Sequence, residues 1–370
     1  MIEFLIPMLW LMGGFAVLIL GGELLVRGAT ALATAWSVPP LLIGLTVVAF
    51  GTSAPELAVT IQSSMAGECS LALGNVVGSN ICNVLLVLGT SALVAPLVVS
   101  APLVRRDVPV MLLASLLLIA LSLDGKIGRW DGLLLTGGLL VYTAWSVWEG
   151  RKESRRVRQE YASRAPARAE QRHSIFRLIF LCGLILLGLA LLVAGANHVV
   201  DSAVKVARLL GVQELIVGLT IVAVGTSLPE FVTSVVAAVR GARDIAVGNV
   251  VGSNIFNILG VLGISALVSP VPLSVPGSAL WFDIPVMVVV AAASLPIFFS
   301  GHVISRWEGG VFFTYYVAYI LWLVLDATQS AVTRTFGLVM VLFVIPLTTV
   351  TILVGVVRAI HAPMGKRGRG

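Results

Sequence analysis

Runs of roughly twenty apolar residues, each closed by a short polar break, follow one another along nearly the whole of this 370-residue chain. A run of that length crosses about 30 Å of hydrocarbon as a helix. The breaks delimit eleven spans, at 4–26, 40–65, 70–97, 104–123, 131–149, 175–201, 213–239, 244–269, 281–300, 308–326 and 336–358. Backbone groups in lipid find no water partner, so helix is the expected state, and the alternation of barrel strands is absent. The expected class is an all-α integral membrane protein.

The pattern also repeats. Shifted by 174 positions, the chain meets itself without a gap over residues 44–94 and 218–268. "GTSAPELAVT" (51–60) falls on "GTSLPEFVTS" (225–234), and "GNVVGSNICN" (74–83) falls on "GNVVGSNIFN" (248–257), which differs only at Cys82 against Phe256. Similarity continues weakly beyond these limits, so each half is one copy of a unit of about five helices. Five is odd, so the second copy must enter the membrane from the opposite side. The expected architecture is a ten-helix core of two inverted five-helix repeats, residues 1–149 and 175–326, joined by a basic loop at 150–174 and followed by an eleventh, C-terminal transmembrane helix at 336–358. Inverted repeats are a recurring plan of secondary transporters, which set the substrate site near the midplane where the copies meet.

Glu56 and Glu230 stand out because a carboxylate near the bilayer centre costs at least about 2.5–3.5 kcal/mol and marks a function by default. Each follows a proline, which cannot donate the helical hydrogen bond, so each helix is expected to break just before its glutamate. Such a break frees carbonyls around Ala49 to Gly51 and Ala223 to Gly225. Those carbonyls, the hydroxyls of Thr52, Ser53, Thr226 and Ser227, and two carboxylates form the oxygen set that a hard cation such as Ca²⁺ or Na⁺ prefers. The bland reading, a glutamate that pairs with an arginine or caps a broken helix, lacks a cation in the surrounding apolar segments. In the second motif, the Gly74–Gly78 and Gly248–Gly252 spacing lets helices approach closely. It packs the third and eighth spans against the second and seventh, while Ser79, Asn83, Ser253 and Asn257, at i and i+4 on one face, supply neutral oxygens. Asn75, Asn80, Asn249 and Asn254 fit either a supporting layer or interhelical bonding.

Other charges read as solvated, interfacial or local. Glu23 and Arg27 form an i,i+4 pair at a helix end, Asp124 and Asp131 lie in a loop beside Lys126 and Arg129, and Asp107 and Asp283 are served by helix N-termini. The net charge of +6 follows from topology rather than from a nucleic-acid partner. Most Lys and Arg fall in loop 150–174, the tail and the loops on that same side, which places the N-terminus outside and the C-terminus inside a prokaryotic plasma membrane. The loop is expected to be mobile or helical at the membrane surface. Three cysteines, Cys69, Cys82 and Cys182, have no metal spacing and read as packing residues. A membrane enzyme is disfavoured, because the four histidines fall in no catalytic motif. A channel would use similar ligands but conduct without countertransport.

The paired GTSxPE and GNVVGSN motifs resemble the two alpha repeats of the cation/calcium exchanger superfamily, particularly its prokaryotic sodium/calcium exchanger branch. The resemblance covers the first ten spans and implies exchange of Na⁺ against Ca²⁺ by alternating access. It implies Glu56 and Glu230 as central Ca²⁺ ligands shared with Na⁺, and Asn83 at the central site. Thr52, Ser53, Thr226 and Ser227, the carbonyls of Ala49 and Ala223, and Ser79 and Ser253 would complete the Ca²⁺ and flanking Na⁺ sites. Asn257 departs from the pattern, since some sodium/calcium exchangers carry Asp there, and the eleventh span is a second departure. Proton-coupled members share the paired glutamates, and a buried carboxylate carries H⁺ as readily as it pairs with Na⁺. The expected protein is thus a Ca²⁺/Na⁺ antiporter, with H⁺/Ca²⁺ exchange as the alternative. Its partners are membrane lipids and inorganic cations, it needs no cofactor, and a single chain is the expected functional unit.

Overall fold

The computed structural model describes residues 2–36, 38–164, 175–299, 303–330 and 332–340, with 342, 345, 346 and 349. The chain is helical almost throughout: α1 (Ile2–Trp36), α2 (Pro40–Thr52), α3 (Ala54–Met65), α4 (Cys69–Val94), α5 (Val108–Ser122), α6 (Arg129–Arg164), α7 (Ile175–Leu209), α8 (214–225), α9 (Leu228–Val239), α10 (Arg243–Val268), α11 (Ile284–Phe299), α12 (Arg306–Ala327) and α13 (Thr333–Val339). Among the described residues, five helices are long and apolar enough to cross a membrane, or six when α2 and α3, bent by 44°, count as one broken span. The first and sixth expected spans are longer than their apolar runs, because α1 continues to Trp36 and α7 to Leu209. Helix α6 runs unbroken into the basic segment as far as Arg164. The rest of that segment, and most of the expected eleventh span, lie outside the described residues.

Widened, π-type turns recur at matching places in the two halves: Gly44–Val48 and Gly218–Val222, Asn83–Leu88 and Asn257–Leu262, Leu103–Asp107 and Ala279–Asp283. Such bulges rotate the side chains that follow out of helical register and cluster at functional sites. The halves also embrace reciprocally. Strand β1 (Leu97–Val98) pairs antiparallel with β4 (Val303–Ile304), and β2 (Lys126–Ile127) with β3 (Leu273–Ser274). Helix α6 packs on the end of α10, where a Cβ on Gly132 would lie 2.7 Å from the Gly263 carbonyl. Helix α12 packs likewise on the end of α4, where one on Gly309 would lie 2.6 Å from the Gly89 carbonyl.

Helices α1 and α7 lie along each other on a glycine seam that the repeat comparison does not reveal. Gly14, Gly21 and Gly28 recur every seven residues, as do Gly188 and Gly195, which keeps them on one face. A Cβ on Gly21 would approach the Leu192 amide at 2.7 Å, and one on Gly188 the Leu25 amide at 2.6 Å. Glu23, expected at a helix end, sits mid-helix in α1 and joins Arg27 to Arg240, whose Nε donates to it at 2.8 Å. It thereby ties α1 to the C-terminal end of α9.

The close packing expected of both GxxxG motifs holds for only one. A Cβ on Gly252 would meet the Leu45 carbonyl at 2.7 Å and Ala49 Cβ at 2.8 Å, so α10 is pressed onto α2. At the matching positions Gly74 and Gly78, and at Gly218 on α8, a Cβ would meet nothing within 4 Å. The α4–α8 interface is therefore parted where the α10–α2 interface is shut. Gly252→Ala is expected to lower stability by about 1–3 kcal/mol through overpacking. Gly74→Ala should instead raise it by about 0.5–1 kcal/mol by relieving helical glycine. Thermal unfolding of both variants in detergent checks the contrast.

Candidate cation site

The chain turns at Ser53 and at Ser227, whose backbones (φ −83°, ψ 8° and φ −87°, ψ 4°) leave the helical region. Pro55 and Pro229 then start α3 and α9, which puts Glu56 and Glu230 in the first turn of a new helix. There the unpaired amides and the dipole favour a carboxylate. Both glutamates are fully buried. Among the described residues no basic side chain pairs with either, which removes the arginine-pair reading.

Each glutamate is instead held by the opposite half. Ser53 Oγ donates to Glu230 Oε1 at 2.8 Å, and Ser227 Oγ donates to Glu56 Oε1 at 3.3 Å. Thr52 Oγ1 donates to Asn249 Oδ1 at 3.1 Å, and Thr226 Oγ1 to Asn75 Oδ1 at 3.3 Å. The amide of Asn75 donates to the Glu56 carbonyl (3.2 Å) and Thr60 Oγ1 (2.9 Å), that of Asn249 to the Glu230 carbonyl (3.4 Å) and Ser234 Oγ (2.9 Å). Asn75 and Asn249 thus do both jobs left open by the sequence: they bond helices together and aim the hydroxyls. Asn80 and Asn254 are interhelical, with amides on the thioethers of Met287 and Met111 at 3.5 Å. Thr60, Ser234, Met111 and Met287 were not singled out from the sequence, although Thr60 and Ser234 match at the repeat offset.

Two further expected residues are bonded to residues already named. Ser79 Oγ lies within hydrogen-bond distance of Ser227 Oγ at 3.2 Å, and Asn257 donates to Asn80 Oδ1 at 3.3 Å. Among the described residues, these expected ligands contribute six of the buried atoms that have no hydrogen-bond partner: Glu56 Oε2, Glu230 Oε2, Asn257 Oδ1, Ser253 Oγ, and both amide atoms of Asn83. Unpartnered buried polar atoms cost about 1–3 kcal/mol each, so a cluster of them needs a ligand. Five of the six are oxygens, a donor set for a hard cation. Among the described residues no group of three His, Cys, Asp or Glu converges, so neutral oxygens outnumber acids in any such site.

Two expectations are corrected. The Ala49 carbonyl is not freed, because it accepts the Ser53 amide at 3.0 Å and Thr52 Oγ1 at 3.3 Å. At Ala223 the expectation fares better, since the Ser227 amide goes to Val224 at 3.1 Å instead. Asp107 and Asp283 do not rest on a helix terminus alone. Asp107 is fully buried, with Arg106 on both oxygens (2.9 and 3.0 Å) and the Tyr142 hydroxyl at 3.2 Å, while Asp283 accepts from Tyr319 at 3.1 Å.

The two halves differ in access. Thr52, Ala49 and Asn249 are buried, whereas Thr226 and Asn75 are half-buried and Ala223 is exposed. The side of the site that carries Asn75 and Thr226, beside Gly74 and Gly78, is therefore the less tightly packed one.

A helical membrane protein built on two reciprocal halves, with crossed carboxylates at their junction, is the architecture of an ion exchanger. The chain belongs to the family described as sodium/calcium exchanger protein, whose profile matches residues 6–148 and 180–325. It is 33% identical over 351 residues to the sodium/calcium exchanger MaX1 of Methanosarcina acetivorans, which covers 86% of this chain and 98% of that one. It is 38% identical over 261 residues to the inner membrane protein YrbG of Escherichia coli, covering 70% and 78% respectively. Its fold superposes on that of the sodium-calcium exchanger NCX_Mj with a TM-score of 0.72 at 30% identity, covering 86% of this chain and 99% of that one.

Asn249 carries the shut side of the site. Asn249→Leu is expected to cost about 1–3 kcal/mol, since it removes the buried bonds to Thr52, Ser234 and the Glu230 carbonyl. Asn75→Leu should cost less, because its surroundings are open to water. Unfolding temperatures measured without added Ca²⁺ or Na⁺ compare the two.

Proposed function

We propose that this chain is a secondary active antiporter that exchanges Ca²⁺ against Na⁺ by alternating access, with Glu56 and Glu230 as the central cation ligands. The observation that carries this reading is that each carboxylate has one oxygen held by a serine of the other half and one oxygen without a partner. Two carboxylates left unpaired in a dry site are expensive, so one ion type or the other must occupy them. Occupancy by one excludes the other, and exchange results. Ser53, Ser79, Ser227, Ser253, Thr52, Thr226, Asn83 and Asn257 supply the neutral oxygens in this reading, with the carbonyl of Ala223.

The proposed arrangement is ten helices in two inverted repeats, residues 1–149 and 175–326, with 150–174 as a cytoplasmic loop and 336–358 as an added span. The protein sits in a prokaryotic plasma membrane with its N-terminus outside, and a single chain is the transporting unit. In that orientation the parted α4–α8 interface lies in the outer half and the shut α10–α2 interface in the inner half. In this reading the molecule faces outward with its carboxylates occluded, and Glu23 and Arg240 latch α1 to α9 on the closed cytoplasmic side.

H⁺/Ca²⁺ exchange is the second reading, favoured by one observation: the site offers two acids, and Asn83 and Asn257 add no charge. One Ca²⁺ meets two formal negative charges, and protons meet them as well as Na⁺ does. Uptake of ⁴⁵Ca²⁺ into proteoliposomes separates the readings. Uptake driven by internal Na⁺ at constant pH is expected, and it should vanish in Glu56→Gln. Uptake driven by a proton gradient with no Na⁺ present would move the chain to the second reading, and coupled transport retained by Glu56→Gln would overturn both.

A further inference from the structure

Away from the carboxylates, a groove of about 560 Å³ opens on the flank of α6 between Val110 of α5 and Leu259 of α10. Gly137 and Gly138 form its floor, and Tyr142 and Trp145 continue its wall. Glycine weakens a helix interior and is usually kept where another backbone comes close, as at Gly132. Here none does. A Cβ on Gly137 would meet nothing within 4 Å, and one on Gly138 would touch only Leu259 methyls at 3.7 and 3.9 Å. The missing side chains leave the hollow itself.

The matching corner of the other half shows what such a corner holds when protein fills it. There Tyr319 bonds Asp283 as Tyr142 bonds Asp107. Phe282 stacks on Trp322 at 5.3 Å, where Arg106 stands 5.6 Å from the Trp145 ring. Thr314 and Tyr315 take the places of Gly137 and Gly138, at the offset of 177 that relates the two tyrosines. Helix α13 then covers the corner, with Phe336 stacked on Trp322 at 6.5 Å and Gly337 pressed against the same ring. One corner is aromatic, filled and covered by the chain. The other is hollow and basic.

Its basic rim is specific. Arg106 is shared with Asp107, and Arg105 beside it is exposed. The groove face of α6 continues from Trp145 by three and seven residues to Trp148 and exposed Lys152, whose Nζ lies 5.1 Å from the Trp148 ring and 3.7 Å from half-buried Glu149. An apolar trough in a membrane-spanning surface that ends in tryptophans and cations complements a lipid with a negative headgroup. We propose that this groove binds an anionic phospholipid, with one acyl chain over Gly137 and Gly138 and the phosphate at Lys152 and Arg105.

Native mass spectrometry of the purified full chain, offered phosphatidylglycerol or phosphatidylcholine, tests the proposal. The wild-type chain should retain phosphatidylglycerol in clear preference. Lys152→Gln should reduce that preference about fivefold, the effect of one basic side chain at an anionic surface. Gly137→Leu should lower retention of both lipids while the unfolding temperature stays level or rises, and Gly137→Ala, a smaller step into open space, should lower it part-way. Equal retention of the two lipids by the wild-type chain overturns the proposal, as does full retention by a Gly137→Leu protein that melts normally. So does a dimer of the wild-type chain that Gly137→Leu dissociates, since a second copy would then be the occupant. If the leucine variant unfolds, retention by Gly137→Ala decides between the same outcomes.

Discussion

Two carboxylates are buried in an apolar helical bundle with no basic residue paired to them among the described residues, and most of the local structure follows from keeping them there. Burial of an unpaired carboxylate is costly enough that each needs several compensating dipoles. The breaks at Ser53 and Ser227 place each glutamate on a fresh helix N-terminus, and the serine at each break reaches across to the other half's glutamate. Asn75 and Asn249 then hold the glutamates' own carbonyls and the threonines of the opposite break, so neither glutamate can be positioned by its own half alone. The reciprocal strands and the α6–α10 and α12–α4 contacts bring the halves to the distance that this crossing needs.

The halves are nearly identical in sequence around the site yet adopt different arrangements in one molecule. Ser53 and Thr52 make the shorter bonds (2.8 and 3.1 Å), Ser227 and Thr226 the longer ones (both 3.3 Å). Gly252 is wedged against α2, while Gly74 and Gly78 face open space. Since the same motif occupies both arrangements, neither is strongly preferred by the motif itself, and small differences elsewhere decide which side is shut. Glu23 with Arg240 is one such difference, for the position matching Arg240 in the first half is Ala66. A packed interface with two nearby arrangements is what a switching element requires.

The two outer corners show the same duplication put to different ends. An aspartate and a tyrosine are kept at each, but Arg106 replaces Phe282 as the group over the tryptophan. The cation neutralises buried Asp107 and leaves a charged rim, whereas the aromatic ring builds a surface on which α13 packs.

By itself, the sequence determined the membrane class, the internal repeat and the motifs whose serines and glutamates meet across the halves, because apolar run length, the repeat offset and the paired motifs are all local in the chain. The break before each glutamate was equally legible, since proline acts on its own neighbours. What the sequence could not show is which of two equal motifs is closed. The two GxxxG runs read alike, and only the docking of α2 on α10 distinguishes Gly252 from Gly78. Asp107 and Asp283 were misjudged for the same reason, because Tyr142 and Tyr319 lie 35 and 36 residues away and reach them only once the helices pack. The carbonyl of Ala49 stays bonded because the Ser53 amide still reaches it, whereas at the matching turn the Ser227 amide goes to Val224, a difference that two equal motifs do not encode. Tertiary structure alone decided these points, since each depends on the relative placement of helices far apart in the chain.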